Sequence, residues 1–307
     1  MSPDSVPGLP NRKDVCAIAV TYHPDGEFPA RISRVLPQVG ALVIVDNGSA
    51  AAEVGMLRGI TANSMISLVL NPSNLGVARA LNIGIERAAA LGFKWMLLLD
   101  QDSVVDDDMV QTLLKVHAAF PDRDRLAVVG SGFRDVNSKE PTPINVGDGW
   151  IEVECVITSG SLIPLAVHAA VGAFREEFFI DYVDIEYCYR ARARGFRVIK
   201  TRATLMAHSI GAITRHNVLG LKKWTYNHSP DRRYYIARND TVLLREYGQY
   251  ALGLWALKSL SRCLRLCKRI ALYEQMKGRK MAAVAHGWWD GVRGHLGPRA
   301  HDSKNAG

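Results

Sequence analysis

Across the 307 residues no apolar run reaches membrane-spanning length, and cysteine is scarce. The first absence argues against a helical membrane span. The five cysteines (Cys16, Cys155, Cys188, Cys263 and Cys267) are odd in number and scattered without a C-x-x-C pair, so neither a disulfide framework nor a zinc site is expected. The opening segment MSPDSVPGLPNRKD lacks the apolar core of a secretory signal, which leads to the expectation of a cytoplasmic protein. Internal repeats and low-complexity tracts are also missing. What remains is an ordinary globular composition, 48% hydrophobic and 22% charged, enough to bury a substantial core in one large domain with an appendage.

The body also lacks net charge. Residues 1–248 hold twenty-seven basic and twenty-seven acidic side chains, whereas residues 249–307 hold eleven basic and three acidic ones, so the tail carries the whole +8 excess. A neutral body argues against a nucleic-acid-binding main domain, and a basic tail suits an anionic surface.

The first half alternates strand and helix signals, as a mainly parallel α/β sheet requires. Strands are expected at Val15–Thr21, Ala41–Asp46, Ile66–Asn71, Lys94–Asp100, Leu126–Val129 and Trp150–Thr158. Helices are expected at Phe28–Leu36, Leu75–Leu91 and Asp106–Phe120. Residues 137–149 read as a loop. Later, Tyr182–Arg194 reads as a helix closed by Gly195, Phe196–Lys200 as a strand, and Pro230–Glu246 and Leu252–Met276 as helices.

The most informative stretch is WMLLLDQD, residues 95–102, an unbroken apolar run ending in two carboxylates one residue apart. The run suits a parallel strand covered on both faces, and ligands in open α/β sheets bind beyond the carboxyl ends of such strands. Asp100 and Asp102 can there reach one hard divalent cation, which takes oxygen ligands and phosphate. The plainer reading is a loop opening the next helix.

Asp46 repeats the pattern in LVIVDNGS, where it could bind a ribose hydroxyl or a pyrimidine imide, or satisfy its own turn. In NPSNLGVAR, Asn74 and Gly76 precede a helix whose free N–H groups suit a phosphate, or which Asn74 or Ser73 simply caps. Asn82 and Gly84 lie further along that helix, where glycine is costly unless packing is close. FFIDYVDIEYCYR places Asp181, Asp184 and Glu186 among aromatics. A carboxylate there gains proton affinity and can act as a base, although acids also complement a helix dipole. His208 in LMAHSIG could join the two aspartates on a metal or serve structure alone. SPDRRYYIARN adds Arg232, Arg233 and Arg238, a diphosphate clamp or a solvated cationic face.

The order of these parts resembles the inverting glycosyltransferases of family 2, over roughly Val15 to Gly248. FIDYVDIEYCYRARARGF, the Ala-His-Ser-Ile-Gly stretch and SPDRRYYIARN resemble the rhamnosyltransferase subgroup. The resemblance implies a GT-A fold with a flexible segment 1–14, a catalytic domain 15–248 and a helical extension 249–307. It implies a nucleotide-sugar donor, dTDP-L-rhamnose, held by Thr21, Asp46, Asn74, Gly76, Arg79, Asp100, Arg232 and Arg238. It further implies Mg2+ or Mn2+ on Asp100, Asp102 and His208, with Asp184 as general base. Many members carry Glu-Asp where this chain has Val183-Asp184, so the preceding Glu is missing and Asp181 is the candidate to take part of its role. The implied acceptor is a glycan or lipid-linked glycan of cell-surface polysaccharide synthesis.

Three alternatives remain beside this reading. One is another donor, a UDP-hexose or UDP-galactofuranose. A sugar-1-phosphate nucleotidyltransferase would need a glycine-rich, arginine-bearing loop after the first strand, where Thr21-Tyr22-His23-Pro24 stands. A non-catalytic binder would have damaged acids, yet Asp100, Asp102 and Asp184 are present. In the tail, Lys258, Arg262, Arg265 and Arg269 share one helical face opposite Leu260, Cys263, Leu264, Cys267, Ile270 and Ala271. That helix either lies on an anionic membrane, at the inner face of the plasma membrane, or docks on the domain with its charges in water.

Overall fold

The computed structural model describes residues 11–135, 148–208, 214–218, 221–225, 227–248 and 254–299. Most of the expected N-terminal segment and of the 137–149 loop lies outside the described residues.

The chain opens β1 (Val15–Thr21), α1 (Phe28–Val35), β2 (Ala41–Asp46), α2 (Ala51–Ile60), β3 (Ile66–Leu70), α3 (Val77–Ala90) and β4 (Trp95–Asp100). It continues with β5 (Val104–Val105), α4 (Met109–Ala119), β6 (Leu126–Asp135), β7 (Trp150–Glu152), β8 (Ser161–Pro164), α5 (Leu165–Val171) and α6 (Val183–Ala193). It ends with β9 (Arg197–His208), the hairpin β10 (Thr214–Val218) and β11 (Leu221–Thr225), and α7 (Pro230–Tyr247), α8 (Leu254–Tyr273) and α9 (Lys277–Arg293).

The main sheet runs β3-β2-β1-β4-β8-β6-β9-β5, with β7 also on β9. β3, β2, β1 and β4 are parallel, as the alternating signals predict. β8 then runs antiparallel between β4 and β6, which makes the sheet mixed. Its apolar residues are buried on both faces, in one cluster under α1 and α4 and another under α3 and α6. Gly84 lets α3 approach β1, since a Cβ there would stand 2.5 Å from Ile18 Cγ2.

Several boundaries differ from expectation. The expected strand 150–158 stops at Glu152, and Thr158–Gly160 is a turn with Gly160 at φ +78°. β9 runs on to His208, beyond the expected Lys200, because register shifts let it follow β6 past Thr201–Ala203. β8, α2 and α5 were not expected: they are short or glycine-interrupted and carry little periodic signal. The tail holds two helices rather than one, with α9 lying directly on α7 through Gly287 and Gly291. A Cβ at Gly287 would sit 2.2 Å from the Tyr234 carbonyl oxygen, and one at Gly291 would sit 2.7 Å from that of Arg238.

Candidate active site

Strand register assembles the first part of the site. Thr21 pairs with Asp46, and Val20 with Asp100, so three strands deliver polar side chains to one sheet edge. Thr21 Oγ1 donates to Asp46 Oδ1 (2.9 Å), while Ser49 donates its N–H to Oδ2 (2.9 Å) and its hydroxyl to Oδ1 (2.5 Å). Asp46 is 1% exposed, so the carboxylate itself is consumed by the turn.

Beside it, an amide ladder fixes the next loop. Asn71 Nδ2 donates to Asn47 Oδ1 (3.1 Å), Asn47 Nδ2 to Asn74 Oδ1 (2.8 Å), and Gly76 N–H to Asn74 Oδ1 (2.9 Å). Gly76, at φ +86°, starts α3, but the first helical N–H does not point to open space: Val77 donates to the Phe179 carbonyl (2.7 Å). Arg79 turns to Glu176 (2.9 Å) and lies partly in solvent.

The acids after β4 meet β9. β5 pairs antiparallel with the end of β9, Val104 opposite Ala207, and this pairing seats His208 over the Asp-Gln-Asp-Ser turn. His208 Nδ1 lies 3.1 Å from Asp102 Oδ1, and Nε2 lies 3.8 Å from Asp100 Oδ2. Ligand atoms of Asp100, Asp102 and His208 all fall within 4.8 Å of one another, so the three could hold one cation. The charges agree with that capacity. Burial pushes the Asp100 carboxyl up to about 6, with the neighbouring Asp102 and Asp184 charges adding to it and His208 and Arg232 opposing. Burial works against charged His208, yet the Asp102 hydrogen bond and the two carboxylates outweigh it and raise its pKa. Crowded carboxylates, with Asp100 shifted upward by burial, are a donor set that a divalent cation would relieve.

Asp184 opens α6. Its carboxylate accepts from Thr158 N–H (2.9 Å) and Ile185 N–H (2.8 Å). Burial nonetheless raises its pKa, with those N–H groups pulling the other way. The Thr158-Ser159-Gly160 turn joins both acid groups. Thr158 grips Asp184, and Ser159 Oγ accepts from Asp100 N–H (3.2 Å) and lies 2.6 Å from Ser103 Oγ. The two serines and Thr158 were missed in the sequence: Thr158 ended an expected strand, Ser159 came just after it, and Ser103 directly followed Asp102. Gln101 was missed as well; its side chain exchanges hydrogen bonds with the Tyr22 backbone and pins the loop after β1.

Before α6 the backbone is strained. Phe179 (φ 63°), Asp181 (φ 62°) and Tyr182 (φ 65°) all have positive φ, unusual for non-glycine residues. Phe179 forms a γ-turn, closed by Ile180 N–H to Phe178 O (2.8 Å). Such a backbone persists only when its surroundings over-determine it. Here every carbonyl from Glu177 to Asp181 has a partner. Asn239 Nδ2 donates to Phe178 O, Ile180 O and Asp181 O (3.0, 3.0 and 2.8 Å). Arg238 donates to Glu177 O, Phe178 O and Gly297 O (2.9, 3.0 and 2.5 Å), and Val77 serves Phe179 O.

This corrects the expected role of Arg238. It is 1% exposed and its guanidinium is spent on backbone carbonyls, so it braces the turn and does not face a diphosphate. Arg232 does reach the site, where its guanidinium pairs with Asp181 (2.5 Å) and lies in the field of Asp100. Asp181 is thereby a salt-bridge partner rather than a second free carboxylate. Glu186 is fully buried against Arg190 (3.0 Å) and Tyr247 Oη (2.8 Å), away from the acids. A cavity of about 720 Å3 lies along the opposite face of α6, lined by Tyr182, Tyr189, Tyr247 and Arg192 but not by Asp184.

Residues 19–152 match the protein family described as Glycosyl transferase family 2. Over that stretch the chain carries the family 2 glycosyltransferase domain. The dTDP-rhamnosyl transferase RfbF of Shigella flexneri is 29% identical to it over 248 residues, covering 76% of this chain and 80% of that protein. The glycosyltransferase fold agrees with solved structures. Mannosyltransferase PcManGT from Pyrobaculum calidifontis, in complex with GDP-Man and Mn2+, superposes with a TM-score of 0.58 at 14% identity, over 92% of this chain and 88% of that one. S. aureus TarS 1-349 in complex with UDP-GlcNAc gives 0.57 at 14% identity, over 91% and 81%. The chain spans 44% of a longer TarS chain. These likenesses are of fold, and the sheet, its flanking helices and the C-terminal helices are those of the GT-A fold.

Proposed function

We propose that the protein transfers L-rhamnose from dTDP-L-rhamnose to a hydroxyl of a lipid-linked glycan acceptor, inverting the anomeric centre. The observation that carries the reading is the convergence of Asp100, Asp102 and His208 from two distant segments beside Asp184. The rhamnosyl donor is supported by similarity to a rhamnosyl transferase over most of the chain. Thr21, Asp46, the Asn47–Asn74 ladder and Gly76 form the nucleotide side, with Asp46 shaping the pocket through Ser49.

Asp100, Asp102 and His208 are the residues that would hold Mg2+ or Mn2+, which when bound supplies positive charge against the donor diphosphate. Asp184 accepts the proton of the acceptor hydroxyl as that oxygen bonds to the anomeric carbon. The bond from that carbon to the phosphate oxygen breaks, and its electron pair leaves with the nucleoside diphosphate. Burial suits Asp184 to this step, since a carboxylate with raised pKa is a stronger base. Arg232 brings a guanidinium to the leaving-group side.

The test is nucleoside diphosphate release from dTDP-L-rhamnose, UDP-glucose, UDP-galactose and GDP-mannose, with a lipid-glycan extract, with Mn2+ and with a chelator. Turnover of dTDP-L-rhamnose alone, abolished by the chelator and by Asp184→Asn, is the expected outcome. Preference for a different donor would overturn the rhamnose assignment and leave the chemistry standing. Nucleotide binding without turnover of any donor would overturn the enzyme reading.

A further inference from the structure

We propose that the outward face of α8 is a docking surface for an anionic lipid bilayer. No helix among the described residues is long and apolar enough to cross a membrane, so contact with lipid has to be made from the side. α8 is fastened to the body along one stripe only. Cys263 and Ile270 pack with Ala237 of α7 and Val284 of α9, and buried Ser259 accepts the Trp288 indole N–H (2.9 Å). The apolar stripe that the sequence offered to lipid is therefore partly consumed by packing.

A row of leucines, with Leu264 from the edge of that stripe, is left outside. Leu254, Leu257, Leu264 and Leu272 are exposed, Leu257 by 65% and Leu264 by 62%. Their spacing of three, seven and eight residues places them on one side of a helix. Lys258, Arg265 and Lys268 stand among them on the exposed side, and the twenty residues of α8 include no Asp or Glu. Leucines alternating with basic residues on a helix fixed parallel to the body surface match the chemistry of a bilayer interface. The leucines enter the acyl boundary, and the cationic heads stay at the phosphates. The uniform positive charge also repels a second copy of the same face, which favours an anionic surface over self-association.

This inference stands on the exposed face of α8 and does not depend on the sugar donor. The full chain is mixed with phosphatidylcholine vesicles, with or without phosphatidylglycerol, and the vesicles are sedimented. Enrichment on the phosphatidylglycerol vesicles, weakened by salt, is expected. Leu257→Glu with Leu264→Glu should lower the partition coefficient by at least about tenfold. Lys258→Ala, Arg265→Ala and Lys268→Ala should lower it about fivefold per charge and flatten the salt dependence. Unchanged circular dichroism and melting would show that both variants are folded. Sedimentation of the leucine variant equal to that of the unaltered chain, or failure of the full chain to bind either vesicle, would overturn the inference. So would a dimer in solution that the leucine substitutions dissociate, which would give this face to a second copy.

Discussion

The two halves of the candidate site are built in opposite ways. Thr21, Asp46 and Asp100 arrive on straight parallel strands, each placed by the register of its neighbour, and Asp46 is satisfied by Thr21 and its own turn. Asp181 and Asp184 arrive on a backbone with three positive-φ residues, held in shape by side chains more than fifty residues away. The first half is a property of regular structure. The second is a property of tertiary bracing, so damage remote in sequence should reach the chemistry chiefly through that half.

The largest expected effect breaks the second half at the proposed base. Asp184→Asn should lower kcat by on the order of 10²–10⁴ while leaving nucleotide binding intact, measured by turnover and by calorimetry. Its pH profile sharpens the point. Because burial raises the Asp184 carboxyl above 3.8, the base form is lost at a higher pH than for an ordinary aspartate as the solution is acidified. The acid limb of kcat/KM should therefore sit higher, and it should vanish from the residual activity of the Asn variant.

Next is Asn239→Ala, which takes a donor from the carbonyls of Phe178, Ile180 and Asp181, of which Phe178 keeps Arg238 and the Ile180 N–H. A loss of about 2–4 kcal/mol in denaturant unfolding is expected, with kcat falling about 10²-fold through misplacement of the acids. Gly287→Ala tests the bracing one step further out. The added methyl meets the Tyr234 carbonyl, and the overpacking should cost about 1–3 kcal/mol with a smaller fall in kcat. Smallest is Thr21→Val in the strand half, which removes one donor from Asp46. It should cost about 1 kcal/mol, read by thermal unfolding, and leave the acid limb of the pH profile in place. If Thr21→Val shifted that limb as strongly as Asn239→Ala, the contrast between the halves would fail.

The same contrast explains what could be read from the chain. The parallel strands and the acids at Asp46, Asp100 and Asp102 were legible because apolar runs ending in carboxylates carry their own signal. His208 was legible as a candidate, but not the β5–β9 pairing that seats it, since a two-residue strand has no pattern. Arg238 was misread because a surface arginine and a carbonyl-bracing arginine look alike in sequence. Only the fold reveals that Glu177–Asp181 needs donors. Asn239 stood next to it in the same segment, and nothing local marks an amide that will serve three carbonyls. The Thr158–Gly160 turn was hidden at the end of an apparent strand; Gly160 takes φ +78°, and a Cβ there would meet Ser131 and Met206.

Arg238 also donates to the Gly297 carbonyl, and Gly297 returns its N–H to Glu177 (2.8 Å). The far end of the chain is thus sewn to the turn that carries the acids. In evolutionary terms the tail is not freely exchangeable. A graft between relatives would have to move α7, α8 and α9 together with the partner of that turn, and a stop codon just ahead of Gly297 would disturb the candidate site without altering a single residue there.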